Sequence, residues 1–252
     1  MRLDRYLSLS GERTRSESTR LIRGGCVTVN GISVRDPGMK LSENACVELM
    51  GKTVEDRSFQ YYMLNKPAGI LTAAEDSRCR TVMDLMPEAL RRRDVLPVGR
   101  LDKDTTGLLL LTNDGALAHS LLHPSRHVWK QYTALVEGTL STVHEQAFSE
   151  GIRLKDFTTL PAEMHILFSG PEKSRATVRV REGKFHQIRR MFAALGHEVL
   201  QLHRDSFGPL TLPADLPTGE YRELTPEEIL TLKKAAGSAI STGCGGASEN
   251  AE

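Results

Sequence analysis

No stretch of this 252-residue chain approaches the roughly 18 consecutive apolar residues that a membrane-spanning helix requires. Its first residues, Met1-Arg2-Leu3-Asp4-Arg5, include an early acid with no apolar block of signal-peptide length behind it, so the chain reads as cytoplasmic. Cysteine is scarce and scattered. Cys26, Cys46, Cys79 and Cys244 form no C-x-x-C pair, which excludes a zinc cage and a disulfide framework and makes reduced thiols the expectation. A Gly-rich phosphate loop and a dinucleotide fingerprint are missing too. The nearest thing to a metal pattern is His119, His123 and His127, but Pro124 interrupts the helix that would align them and no acid sits in register. The expectation is therefore no metal and no cofactor.

What remains is enough for a packed core. The 39% hydrophobic content and the length suit one large or two small domains. The formal net charge of +1 hides a segregation. Residues 1–35 carry seven arginines (Arg2, Arg5, Arg13, Arg15, Arg20, Arg23 and Arg35) against three acids. Residues 173–204 carry eight Lys or Arg against Glu182 and Glu198. Two basic surfaces on a nearly neutral chain suit a polyanion gripped at two places.

Residues 1–50 read as a small unit. Leu3, Tyr6 and Leu7 share one helical face, and Ser10-Gly11 ends that helix. A second helix starts near Thr14 or Ser16, buries Leu21 and Ile22, and stops at Gly24-Gly25. Val27-Thr28-Val29 and Ile32-Ser33-Val34 then flank Asn30-Gly31, a strong hairpin signal. Two helices followed by such a hairpin resemble the S4 RNA-binding domain. The resemblance implies that Arg2, Arg5, Arg13, Arg15, Arg20 and Arg23 face structured RNA. Residues 51–58 form a polar linker, 59–236 a second domain, and 237–252 a small, polar tail with too little apolar content to fold. Strands are expected at 59–64, 70–73, 108–112, 131–136, 176–180 and 198–203, and helices at 116–122, 142–150, 186–195 and 227–236. That mixture argues an α+β fold with a mainly antiparallel or mixed sheet.

The most informative segment runs from Gly99-Arg100-Leu101-Asp102-Lys103-Asp104-Thr105-Thr106-Gly107 into Leu108-Leu109-Leu110-Leu111-Thr112, and turns at Asn113-Asp114-Gly115. A polar loop leading into a buried strand can hold a carboxylate at the edge of a cleft. By pattern alone Asp102 equally fits a solvated ion pair. The segment resembles the active-site motif of the RsuA and RluB/E/F type of pseudouridine synthase. Further segments extend the resemblance over roughly residues 1–232: Asn65-Lys66-Pro67-Ala68-Gly69, Lys130-Gln131-Tyr132, and Glu182-Gly183-Lys184-Phe185-His186-Gln187-Ile188-Arg189-Arg190-Met191-Phe192. The family implies a central sheet shared by two similar halves, flanking helices and a cleft across its middle.

The resemblance makes Asp102 the essential carboxylate. Its rival Asp104 is left to order the loop. Arg189 becomes the basic partner that keeps Asp102 ionised, and Tyr132 places its ring against the target base. Arg100 would fill the gap left by an extruded nucleotide, Ile188 would wall the pocket, and Lys66 would sit beside it. Lys130, Lys184 and Arg190 would contact RNA. The reaction breaks the C1′–N1 bond of uridine and rejoins the base through C5, so it requires no cofactor. The carboxylate either attacks C1′ or removes the 2′ proton, and sequence leaves both routes open. The Asp-x-Asp-Thr-Thr-Gly form resembles the branch that modifies uridine 516 of 16S rRNA. The alternatives are a 23S rRNA enzyme of the RluB/E/F branch, a non-catalytic S4-domain rRNA-binding or assembly factor, and a nucleic-acid hydrolase. The expected partner is ribosomal RNA in a small-subunit assembly intermediate, bound by a monomer with no membrane contact.

Overall fold

The computed structural model describes residues 1–9, 13–42, 45–54, 59–91 and 94–237. The expected helix stop at Ser10-Gly11, the second half of the linker, Cys244 and the tail beyond Gly237 lie outside them. The chain divides into two compact units, Met1–Gln60 and the residues from Tyr61 onward. No helix among the described residues is long and apolar enough to cross a membrane.

The first unit holds α1 (Leu3–Leu9), α2 (Arg15–Arg23), β1 (Val27–Val29), β2 (Ile32–Val34), β3 (Val47–Leu49) and β4 (Lys52–Thr53). Thr14 caps α2 by accepting from the Glu17 amide, while Glu17 returns a bond to the Thr14 amide. This reciprocal pair satisfies two backbone donors that the first turn would leave open. The turn at Asn30-Gly31 has φ of 52° and 78°, the left-handed pair that a tight hairpin of right-twisted strands needs. Leu3, Leu7, Ile22 and Val27, each no more than 1% exposed, form the small core. All six arginines assigned to RNA are exposed, with Arg2 and Arg15 reaching Asp4. β4 occupies the start of the expected linker: Met50 and Gly51, at φ of 51° and 75°, make a second hairpin turn whose polar residues resemble those of a linker.

The second unit begins with β5 (Tyr61–Lys66), α3 (Glu88–Arg91), β6 (Leu96–Pro97), β7 (Thr105–Thr112), α4 (Gly115–Leu122) and β8 (Lys130–Glu137). α5 (Thr142–Glu150), β9 (Glu163–Ser169), β10 (Lys173–Val180), α6 (Gln187–Ala194), β11 (Val199–Phe207), β12 (Leu210–Thr211), β13 (Tyr221–Glu223) and α7 (Pro226–Ala235) follow. The sheet runs β13-β5-β7-β11-β8-β10-β9, with β6 added to β7 and β12 to β11. Pairing is antiparallel except between β7 and β11, where two antiparallel blocks meet side by side.

β7 explains its own sequence. Leu109 and Leu111 enter a core on one face with Tyr62, Leu64, Ala134 and Val136. Leu108 and Leu110 enter a second core on the other face with Met63, Phe207 and Leu232. A strand buried on both faces reads as an uninterrupted apolar run. At the junction Gly107 has φ of 100°, and a Cβ there would land on the Arg204 backbone of β11. The two blocks close this tightly only around glycine. Residues 70–73, expected as a strand, make a single bridge between Leu71 and Thr81 instead. α4 ends at Leu122, and His123 then accepts from the Ser125 amide to cap a short turn at Pro124–Arg126.

Candidate active site

The loop entering β7 is held from two sides by side chains distant in sequence. The Thr72 hydroxyl donates to the Leu101 carbonyl at 2.9 Å, and the Leu101 amide donates back to it at 3.2 Å. From below, Lys66 spends its ammonium on three carbonyls, those of Pro67 at 2.9 Å and of Lys103 and Thr105 at 3.0 Å each. The Gly69 amide adds a bond to the Lys103 carbonyl, and the Thr105 amide closes the turn onto the Asp102 carbonyl. Backbone held this way fixes the Cα of Asp102 while leaving its carboxylate about one-third exposed.

That carboxylate opens onto a pocket walled by Tyr132, Ile188, Leu202 and Thr105, with Arg100, Lys184 and His186 at its margin. Tyr132 reaches it from β8 with 8% exposure, and Ile188 from the first turn of α6 with 5%. His186, in the left-handed region at φ 49° and ψ 30°, directs Nε2 to 3.6 Å from Asp102 Oδ1. The pocket lies where the Thr105 end of β7 runs beside Leu202 of β11 and where β8 flanks β11, so both halves of the sheet contribute to it.

Three expectations need correction. Arg189 does not pair with Asp102: its guanidinium donates to the Val199 carbonyl at 2.8 Å and lines a separate cleft with Gly196 and His197. Ile188 already occupies the turn of α6 that faces the pocket. The next residue is rotated about 100° away, toward the start of β11. The basic group beside Asp102 is His186, which belongs to the same sequence motif but was not expected to act there. Lys66 does not line the pocket, being fully buried beneath the loop. Burial pushes its ammonium down to about 8, against the opposing pull of Asp104 and Asp102. Lys130 is likewise 8% exposed and donates to the Val128 carbonyl, so it offers RNA no phosphate contact. Burial, with Arg204 nearby, lowers it to about 8 as well.

The remaining cations stay near the surface. Lys184 is half-exposed, 3.3 Å from Glu182 and over the Phe157 ring. Arg190 pairs with Asp156. Arg100 is exposed at the pocket mouth. Trp129, the chain's one tryptophan, has the guanidiniums of Arg179 and Arg181 against it, 4.8 and 4.5 Å from its ring centre. Thr72 carried no sequence signal, because its partner is 29 residues away.

Residues 60–194 match the family model of RNA pseudouridylate synthases, and residues 1–45 match the S4 domain. A ribosomal small subunit pseudouridine synthase A of Vibrio cholerae is 37% identical over 93% of this chain and 100% of its own length. A ribosomal large subunit pseudouridine synthase B of Bacillus subtilis is 38% identical over 93% of this chain and 96% of its own. A crystal structure of a pseudouridylate synthase superposes with a TM-score of 0.64, at 34% identity, over 92% of this chain and 99% of that one. The chain belongs to the pseudouridine synthase family of RNA isomerases and carries an S4 domain at its N-terminal end.

Proposed function

We propose that this enzyme isomerises one uridine of ribosomal RNA, in the small subunit at the position equivalent to uridine 516 of 16S rRNA, with Asp102 as the essential carboxylate. The observation that carries the assignment of Asp102 is its mounting. Thr72 and Lys66 clamp the backbone on both sides while the Asp102 carboxylate opens into the pocket. Asp104 is exposed on the same loop and is not among the residues lining that pocket.

In the reaction the C1′–N1 bond breaks, C5 bonds to C1′, the C5 proton departs and N1 gains one. Asp102 supports this either by attacking C1′ or by taking the 2′ proton. Both require a carboxylate fixed against the sugar and sheltered from bulk water. Tyr132 and Ile188 supply flat and apolar walls for the detached base, and the Tyr132 hydroxyl is the group suited to the C5 proton. His186, with Nε2 3.6 Å from Asp102 Oδ1, is placed to orient that carboxylate. Arg100 at the mouth is placed to occupy the vacated position in the RNA stack. The exposed arginines of the first unit suit the grip on ribosomal RNA.

The test is pseudouridine mapping in 16S and 23S rRNA from a deletion strain, complemented with wild type and with Asp102→Asn. One missing 16S pseudouridine, restored by wild type alone, is expected. In vitro turnover should fall by roughly 10³-fold or more, the scale seen when a reaction's principal nucleophile or base is removed. Loss of a 23S position would assign the large-subunit branch instead. Full complementation by Asp102→Asn would remove Asp102 from the mechanism and favour a binding role.

A further inference from the structure

Phe185 is the most exposed of the large hydrophobic side chains described, at 76%. An isolated exposed apolar residue needs no explanation. This one is held in place. Its ring stacks on His186 with centroids 3.8 Å apart and planes 16° from parallel. His186 itself sits in the left-handed backbone region, uncommon for a residue with a side chain. The loop behind it is tied by Gln187, 5% exposed, whose Oε1 accepts from the Lys184 amide at 3.0 Å and whose Nε2 donates to Glu182 at 2.7 Å. The Gln187 amide donates to the Lys184 carbonyl as well. One face of an aromatic ring is thereby fixed at the pocket margin, and His186 on its other side approaches Asp102 to 3.6 Å.

An RNA that delivers a uridine to Asp102 loses the stacking of that uridine on its neighbours. The bases on either side are left with an uncovered face a single nucleotide step from the pocket. Aromatic side chains cover such faces in proteins that bind unstacked RNA, with little preference for which base is presented. The surroundings suit the backbone of the same nucleotide, since Lys184 is half-exposed and Arg100 lies exposed across the pocket mouth.

We propose that the free face of Phe185 is a binding subsite for the base of a nucleotide adjoining the target uridine, completing a stack of base, Phe185 and His186 at the edge of the pocket. The inference rests on the reading of Asp102 as the residue that receives the target, and it assigns a role to a side chain that the chemistry itself does not use.

The experiment uses full-length enzyme and a synthetic stem-loop carrying the uridine identified by rRNA mapping, or the uridine 516 stem-loop if none is identified. The two nucleotides beside it are replaced in turn by an abasic site or by 2-aminopurine. Phe185→Ala and Phe185→Leu should raise the dissociation constant and KM by roughly 5- to 150-fold, the range for losing one base–aromatic stack, with a smaller effect on kcat. Phe185→Trp should restore binding. An abasic site at one flank should cost wild type a similar factor and cost Phe185→Ala nothing further. At that flank 2-aminopurine fluorescence should be quenched on binding to wild type and not to Phe185→Leu. Wild-type affinity in Phe185→Leu, or penalties that multiply at both flanks, would overturn the subsite. Absence of turnover in wild type with quenching intact would instead refute the substrate reading and leave the stack standing.

Discussion

Lys66→Met should weaken the catalytic unit and loosen the Asp102 loop together, by an amount that the structure bounds. The ammonium is fully buried and bonded to three carbonyls. The Lys103 carbonyl keeps its bond from the Gly69 amide, which leaves two stranded carbonyls, and at roughly 1–3 kcal/mol for each buried polar group left unsatisfied they cost about 2–6 kcal/mol. Against this, the variant escapes the penalty of burying a cation. The fall of the Lys66 pKa from 10.5 to about 8 sets that penalty at about 3 kcal/mol. A net loss of about 1 kcal/mol at neutral pH follows from these two terms. The pH dependence supplies an independent sign. Folded Lys66 holds its proton less tightly than the unfolded chain does, so stability from this group rises as pH climbs from about 8 toward 10.5. Methionine has no such term, and the gap between wild type and variant should widen over that interval. Urea unfolding followed by circular dichroism from pH 7 to 10, alongside turnover, measures both. A loss under about 0.5 kcal/mol, the range of an ordinary surface substitution, or a gap that stays flat with pH, would refute the reasoning.

Arg189→Met should leave the pH–rate profile in place and cost about 1 kcal/mol of stability, the value of one hydrogen bond to the Val199 carbonyl. A collapse of turnover with a shifted acidic limb would restore Arg189 as the partner of Asp102. In the first unit, replacing Arg13, Arg20 and Arg23 together by Gln should reduce the log–log salt slope of rRNA binding by about 0.7–0.9 for each phosphate no longer neutralised. A slope identical to wild type would show that these side chains provide no grip.

The sequence reported this fold where burial is one-sided or complete and where turns need special residues. The Leu108–Leu111 run, the Asn30-Gly31 turn and the helix start at Thr14 were all readable because each is a local consequence of backbone geometry. β9 was missed because it is an edge strand whose residues are mostly exposed, Met164 excepted, so it lacks alternation. In the candidate site, Asp102 and Tyr132, which line one pocket, were readable through the family resemblance that their motifs carry. Its supports were not. Whether a cation in a basic helix faces the pocket or a neighbouring strand depends on a rotation of about 100° per residue. The placement of Arg189 beside Val199 turns on that single step. Thr72 and Lys66 act through carbonyls that any residue would present, so no residue type near them announces the contact.

The position of Trp129 has a practical consequence for all of these measurements. It is the chain's sole indole, it lies in the catalytic unit, and cationic side chains flank it from two positions of one segment, Arg179 and Arg181. Arg181 is followed directly by the segment that carries Glu182, Lys184 and His186 to the pocket. Indole emission responds to nearby charge, and phosphates that draw either guanidinium off the ring alter the charge felt by this fluorophore alone. The molecule therefore carries an unlabelled optical reporter near its candidate active site, with no second tryptophan to obscure the signal.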